Sequence, residues 1–362
     1  MTFFKKIHPF YFIMAILFLL SLLFVTNNEA FYSDTIVDVT EVKEIAKEEL
    51  VDGNGNKDRL YTLEITGEIQ NGESKGTSIT IEHQYSQSQA ISYPLAKGDT
   101  FFLGDDGDSV GNLKRDVYIV LIGWLFILVL LFVGRKQGAL SVLSLAVNAI
   151  ILFVALDIYA QHPNINLLVI CGISIVLFTI LSLFMASGNS AKTYTAILAT
   201  FICTSMSLLI TFVAFYLTGE QGLRYEEMAF VSRHPQLIFL AGLLIGSLGA
   251  VMDVAITMAS SMFELYEKNQ AIKVSVLKKA GKEIGRDIMG TMTNILFFAY
   301  VSGSIPMLLL YFKNGSPLDF TITVNLSMEI ARALAGGIGI VLTIPITIYL
   351  SIFFIKRKQA IK

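Results

Sequence analysis

Asp253 is the one ionisable residue between Gln236 and Glu264, in the run QLIFLAGLLIGSLGAVMDVAITMASSMFE. The run is long enough to cross a bilayer as a helix, which takes about 20 apolar residues. A carboxylate near the centre of such a helix is disfavoured by about 2.5–3.5 kcal/mol on insertion scales. A partner group, a wet cavity or protonation can offset that cost, and each is the beginning of ion or proton chemistry. Asp253 precedes Glu264 by about ten residues, roughly 15 Å at 1.5 Å per residue, which is near a bilayer midplane. Gly242, Gly246 and Gly249 sit at spacings that let another backbone come close. The pattern predicts a helix packed inside a bundle with its acid facing inward.

Two amides fall at comparable depth. Asn148 lies in the third apolar run and Asn294 in the seventh, both roughly 10–18 Å from their basic ends by helix rise. An acid facing two amides can hold a cation or a proton. The plainer reading is glue, since polar contacts between membrane helices are worth about 0.6–2 kcal/mol without any function. Glue is the better account of each amide alone; the larger cost of the acid favours function for Asp253. Glu329 and Arg332 are three apart and share a helix face, where they pair as an anchor. Pro306 and Pro345 fall in apolar runs and predict kinks.

Other chemistry is weakly represented. Asp52-Gly-Asn54-Gly-Asn56-Lys-Asp58 places oxygen ligands at alternate positions, as a calcium loop does. Lys57 stands where that loop needs glycine and Leu63 where it needs a bidentate glutamate, so a polar hairpin loop is expected. His8, His83, His162 and His234 are scattered, and Cys171 and Cys203 lie in apolar runs. No metal site, disulfide or cofactor is expected from them. Nucleotide-binding and hydrolase motifs are absent from the sequence, which argues against an enzyme.

The chain of 362 residues is 54% hydrophobic and 15% charged, with a mean hydropathy of +0.64. That is the composition of a polytopic membrane protein. A net charge of −2 gives no footprint for nucleic acid. Residues 1–26 hold a basic start and an apolar run, an anchor helix or uncleaved signal. Residues 27–116 change character: TIVDVTEV, LYTLEITGEI and TSITIEHQY alternate with period two between Gly, Asn and Asp breaks. They predict a small all-β domain, a sandwich or a five-stranded barrel of the OB type. Residues 117–362 carry seven more apolar runs, near 117–134, 139–157, 165–186, 195–217, 237–263, 288–312 and 330–355. The expected fold is an all-α membrane bundle of about eight transmembrane helices, with an extracellular all-β domain between helices 1 and 2.

Lys5, Lys6, Arg135, Lys136, Lys192, Lys356 and Arg357 fall on one side of that arrangement, as does the basic loop 264–287. Positive residues stay inside, so both termini are expected in the cytoplasm and residues 27–116 outside. Within that loop Ile272, Val276, Ala280 and Ile284 alternate with Lys273, Lys278, Lys279 and Lys282. They predict an amphipathic helix on the anionic inner leaflet or against a cytoplasmic partner. GSLGAVMDVAITMASSMF at 246–263 echoes GGIGIVLTIPITIYLSIF at 336–353. Gly246 pairs with Gly336, Gly249 with Gly339 and Asp253 with Thr343. An internal repeat, whose halves meet at a substrate site, and convergence of apolar helices both produce such an echo.

The stretches GSLGAVMDVAITMASSMFEL (246–265), RDIMGTMTNILFFAYVSGSIPMLLL (286–310) and EIARALAGGIGIVLTIPIT (329–347) resemble the signature stretches of the bacterial YibE/F-like membrane proteins. The helix followed by a β domain is similar to the longer, YibE-type arrangement. The resemblance implies a multi-pass protein of the bacterial cytoplasmic membrane and transfers neither substrate nor catalytic residue. From the residues themselves the leading expectation is a transporter or permease for an unknown ion or small solute. Asp253, Asn148, Asn294 and Thr343 would form its binding set, and Gly242, Gly246, Gly249, Gly336 and Gly339 would pack its helices in membrane lipid. The alternative is a non-transporting receptor, scaffold or assembly factor that binds a protein partner through the β domain. The orientation is open to a direct test. Single cysteines placed at Ser78 and Ser275 should label from outside intact cells at 78 and not at 275; the reverse pattern rejects it.

Overall fold

The computed structural model describes residues 9–162, 164–225 and 234–361. Lys5, Lys6, His8 and Arg233 lie outside the described residues. The chain divides into two compact units, residues 1–133 and 134–362.

The first unit begins with α1 (Pro9–Val25), whose chain leaves through a short 3-10 turn at Glu29–Phe31. Five antiparallel strands follow: β1 (Ile36–Val51), β2 (Lys57–Ile69), β3 (Ser78–Ser86), β4 (Thr100–Leu103) and β5 (Val110–Leu113). They form one sheet in the order β3-β2-β1-β4-β5. Period-two alternation turns Val37, Val39, Leu63, Ile65, Ile81 and Phe101 to one buried face. Among the described residues the five strands make one sheet, with no second sheet to form a sandwich and without full closure into a barrel. β4 and β5 have four residues each, and the edge strands β3 and β5 are not paired with each other. Leu95 and Tyr93, from the connection after β3, pack on the face a second sheet would cover. Gly67 is required where β2 crosses β1: a Cβ there would stand 2.4 Å from Val37 Cγ1 and 2.9 Å from the Asp38 carbonyl.

The hairpin β1–β2 is closed by the calcium-like stretch. Asp52 Oδ1 accepts the backbone N–H groups of Asn54 and Asn56 at 2.9 and 2.8 Å, and its Oδ2 accepts Asn56 Nδ2 at 2.7 Å. The carboxylate serves the turn itself. A polar hub ties the sheet to the helices on either side. Asp116 Oδ2 accepts Tyr32 Oη at 2.6 Å and Asn28 Nδ2 at 3.2 Å. Lys114 Nζ lies 3.5 Å from that carboxylate and donates to the Val25 carbonyl at 3.0 Å, placing a cation on the C-terminal end of α1. Asn71 bridges the connection, accepting Ile36 N at 2.7 Å and donating to the Asp34 carbonyl at 2.8 Å.

The helices of the second half are α2 (Asp116–Gln161), α3 (Leu167–Ser187), α4 (Ala191–Thr218), α5 (Pro235–Lys268), α6 (Val274–Lys313) and α7 (Leu318–Ile361). These six are long and apolar enough to cross a membrane, while the apolar part of α1, Ile13–Val25, is shorter. Within α2 the helical geometry breaks at Arg135, which has φ 47 and ψ −123. Asn166 and Ser190 cap the starts of α3 and α4 with their side chains. Gly188 and Gly219, at φ 66 and 58, end those two helices.

In the second unit α5 and α7 pack in parallel, with α4 against both and α6 against their other side. The main cluster joins Val254, Met258 and Met262 of α5 with Ile340, Ile344, Ile348 and Ile352 of α7 and Leu277 and Leu296 of α6. The basic stretch expected as an amphipathic helix is helical from Val274 and forms the first third of α6. Gly281 and Gly285 are buried. A Cβ at Gly281 would meet Met262 Sδ at 2.7 Å, and one at Gly285 would meet Ile344 Cγ2 at 2.3 Å. The missing side chains let the helix press onto α5 and α7, and Lys278 Nζ rests 4.2 Å from the centre of the Tyr349 ring.

The sheet supplies a pH-dependent tie. Asp58 accepts the Ser88 hydroxyl and Ser88 N at 3.1 Å. The Ser88 hydrogen bond leads the groups that lower its pKa to about 2, below an unfolded value of about 3.9. A depressed carboxylate contributes fully above its unfolded value and loses that contribution as pH falls through the folded one. A fragment spanning residues 27–119 should fold without calcium, and its Ser88 amide resonance should shift as pH falls from about 4 to 2. Asp58→Asn should remove that step; an unchanged titration rejects the tie.

Candidate functional site

α5 has two chemically different faces. Residues at helical spacing from Leu240 through Leu244, Ser247, Val251, Val254, Ala255, Met258 and Met262 are buried. On the opposite face Gly242, Gly246, Gly249, Asp253, Thr257 and Glu264 are exposed, with Ser260 partly so. The exposed face of a membrane-spanning helix is ordinarily covered in large apolar side chains. This one carries glycines, hydroxyls and two carboxylates.

Asp253 therefore faces away from the bundle rather than into it. The reason is volume: Leu, Val and Met side chains fill the space against the isoleucines of α7, and glycine cannot. Asp253 makes no hydrogen bond or ion pair among the described residues. A Cβ at Gly242 or Gly249 would meet nothing within 4 Å, whereas one at Gly246 would stand 2.2 Å from Tyr300 Oη of α6. The α7 glycines are at a true close approach. A Cβ at Gly336 would meet Leu296 Cδ2 at 2.5 Å and Ser247 Cβ at 3.4 Å; one at Gly339 would meet Val251 Cγ2 at 3.1 Å.

The structure does not gather Asp253, Asn148, Asn294 and Thr343 into one set. Asn148 Nδ2 donates to Ser182 Oγ of α3 at 2.7 Å, and Ser144 Oγ donates to the same oxygen at 3.0 Å, an interhelical clasp. Asn294 is exposed on the outer side of α6, in a shallow groove with Asp287, Thr291 and Ser302. Thr343 is fully buried and donates to the Gly339 carbonyl at 2.7 Å. The echo between α5 and α7 also divides. Gly246, Gly249, Asp253 and Thr257 are exposed, but Gly336, Gly339, Thr343 and Thr347 are buried. Equivalent letters thus occupy opposite environments.

Three helices meet at a second charged centre. Arg332 Nη1 lies 2.5 Å from Glu329 Oε1, and the two side chains are 19% and 16% exposed. α7 begins at Leu318, so the pair sits several turns inside the helix rather than at its start. The guanidinium carbon is 5.4 Å from the centre of the Phe239 ring on α5. Tyr300 of α6 stands within the field of both charges. Arg332 Nε and Tyr300 Oη are buried without a hydrogen-bond partner among the described residues. Two open donors beside a neutralised ion pair suit an acceptor group, such as water or a solute oxygen.

The two centres line up along α5. Ser247 meets Gly336 and Val251 meets Gly339. Arg332 is therefore level with about residue 244 of α5, roughly 14 Å from Asp253 along the axis. Tyr300 Oη lies against Gly246 and thus stands between the level of the Glu329–Arg332 pair and that of Asp253 along α5. Sequence reasoning missed Tyr300 altogether, because an isolated tyrosine in an apolar run carries no spacing signal. It also missed the hydroxyl seam of α4, where Ser207 Oγ donates to the Ala335 carbonyl at 2.7 Å. Small residues at i and i+4 from Ala196 to Thr211 were the available clue. A cleft of about 450 Å³ between α3, α4 and α5 is lined by Leu168, Phe201, Leu208 and Leu240. It is apolar, and Asp253 does not line it.

Comparison with known families gives two matches. The family described as YibE/F-like protein matches residues 122–357, and the YibE/F family N-terminal domain matches residues 30–119. No curated protein and no solved structure matches the chain.

The ion pair predicts a non-additive response. Glu329→Ala should destabilise by about 3 kcal/mol, because it strands a partly buried guanidinium. Glu329→Ala with Arg332→Ala should cost less than the single change. Denaturant unfolding in detergent micelles measures both, and additive losses reject the coupling.

Proposed function

The chain belongs to the YibE/F family, and on that footing we propose that it is a transporter or permease for an ion or small solute in the bacterial cytoplasmic membrane. Asp253 is its proton- or cation-binding group. The observation that carries this reading is the α5 face: a carboxylate at membrane depth on a surface of small and polar side chains. Such a surface is expensive against lipid and suited to a hydrated path. The Glu329–Arg332 pair and Tyr300 extend the path toward the other end of α5 and offer donors to a passing acceptor.

Eight membrane crossings suit this role. α2 has 46 residues, about 69 Å of helix, against a hydrocarbon core of about 30 Å. The break at Arg135 supports two crossings in α2, and α1 adds the eighth. Arg135 and Lys136, Lys192, the loop 264–287, Lys356 and Arg357 then share the cytoplasmic side with both termini, and the sheet lies outside.

One observation favours the receptor or assembly-factor reading. β1 pairs with β4 only over Ile36–Asp38. From Thr40 to Val51 its outer edge is unpaired among the described residues, and an open edge can accept a strand from a partner.

Flux decides between them. Proteoliposomes carrying the intact chain, screened with ions and small solutes, should show a protein-dependent flux. Asp253→Asn should abolish it while leaving the amount of inserted protein unchanged. Full flux in Asp253→Leu would remove the acid from the mechanism, and no flux with any solute would favour the partner-binding alternative.

A further inference from the structure

Two faces of the second unit carry polar side chains at membrane depth with nothing of the described bundle over them. One is the α5 face of Gly242, Gly246, Gly249, Asp253 and Thr257; the other is the back of α6, with Thr291, Asn294 and Ser302. They lie at matching depth. α5 and α6 run antiparallel, with Gly246 against Tyr300 and Met262 against Gly281. Asp253 is thus level with about residues 291–293 of α6, within about one turn of Asn294.

The two faces are chemically complementary. Asp253 offers only acceptors when ionised, and the Asn294 carboxamide offers two N–H donors. Neither side chain makes a hydrogen bond among the described residues. Thr291 Oγ1 makes one long bond, 3.4 Å, to the Asp287 carbonyl. The glycines around Asp253 leave room for a second backbone, since Gly242 and Gly249 have nothing within 4 Å of a built Cβ.

The apolar runs of α1 and of the first half of α2 hold few side-chain donors. In α1 the hydroxyl of Ser21 is engaged: it donates to the Phe18 carbonyl at 2.8 Å and accepts Trp124 Nε1 at 2.7 Å. The first half of α2, VYIVLIGWLFILVLLFVG, has Trp124 so engaged and Tyr118 at its start. A second copy of the chain does supply the donor. A two-fold axis along the membrane normal preserves depth, and it brings α5 of each copy to α6 of the other in one step.

We propose that a second copy of this chain covers these faces, with Asp253 of each copy meeting Asn294 of the other. The dimer rests on the transport reading in one respect: it takes the Asp253 face as the working face, so that the solute path runs between two copies. Asn294 then becomes a residue of the path from the neighbouring chain, which explains an amide on a surface that a single copy turns to lipid.

Single-molecule photobleaching of the otherwise unaltered chain, labelled through a C-terminal fusion and diluted into liposomes, should give two-step traces. In a background with Cys171→Ala and Cys203→Ala, differently tagged Asp253→Cys and Asn294→Cys copies should form a mixed disulfide. Val169→Cys and Ile338→Cys, on exposed faces of α3 and α7, should not. Asn294→Asp sets two carboxylates face to face and should shift the traces to single steps. Asp253→Asn with Asn294→Asp exchanges the partners and should restore two. One-step traces from the unaltered chain overturn the dimer, as does an Asp253→Cys thiol that couples only to another protein or within its own chain. Failure of the double exchange to recover two steps also overturns the pairing. Flux from one-step particles would sink the dimer and leave the transport reading intact; two-step particles without flux would do the opposite.

Discussion

Among lipid tails as apolar as leucine, helices are held together by close packing and hydrogen bonds rather than by exclusion of water. In the second unit that requirement converges on the seam of α4, α5 and α7. Gly336 and Gly339 bring α7 against Ser247 and Val251, and Ser207 of α4 reaches the Ala335 carbonyl across the seam. Once that seam forms, the isoleucines of α7 have a single direction to point, and the α5 face that meets them is chosen. The positions of the polar groups on α5, α6 and α7 follow from that choice.

Buried and exposed polar groups then behave differently. The hydroxyls of α4 mostly return to their own backbone, as Thr200, Thr204 and Thr211 do at i−4, and so enter the core at little cost. Asn148 clasps α3. These are devices of cohesion. Asp253, Asn294 and Tyr300 are not used in that way: their side chains make no hydrogen bond among the described residues. Polar groups that the packing does not use are where recognition or transport chemistry is most economically sought.

The first unit solves a different problem, that of holding a small sheet against the ends of helices. Asp116 binds Tyr32, Asn28 and Lys114, and Lys114 in turn caps α1. The carboxylate at the first turn of α2 therefore fixes both the entry into the sheet and the exit from it.

Length and composition of apolar runs are local properties, so the helices, the strand-rich insert and the membrane class can all be read directly from the residues. The two alternating stretches that became β1 and β2 follow the same rule, since period two is visible without knowing the partner. Facing is not local. α5 has two faces that could each pack, one by large side chains and one by glycine, and the sequence pattern pointed to the glycine face. The isoleucines of α7 and the small residues of α4 took the other face, which turned Asp253 outward. The same logic separates the echoing letters of α5 and α7 and turns Asn294 away from the bundle. It also places the Glu329–Arg332 pair beside a tyrosine from α6 that no spacing rule connects to it. The composition of each helix was determined by its own residues, whereas the direction each polar group faces was decided only when three helices competed to bury their apolar volume.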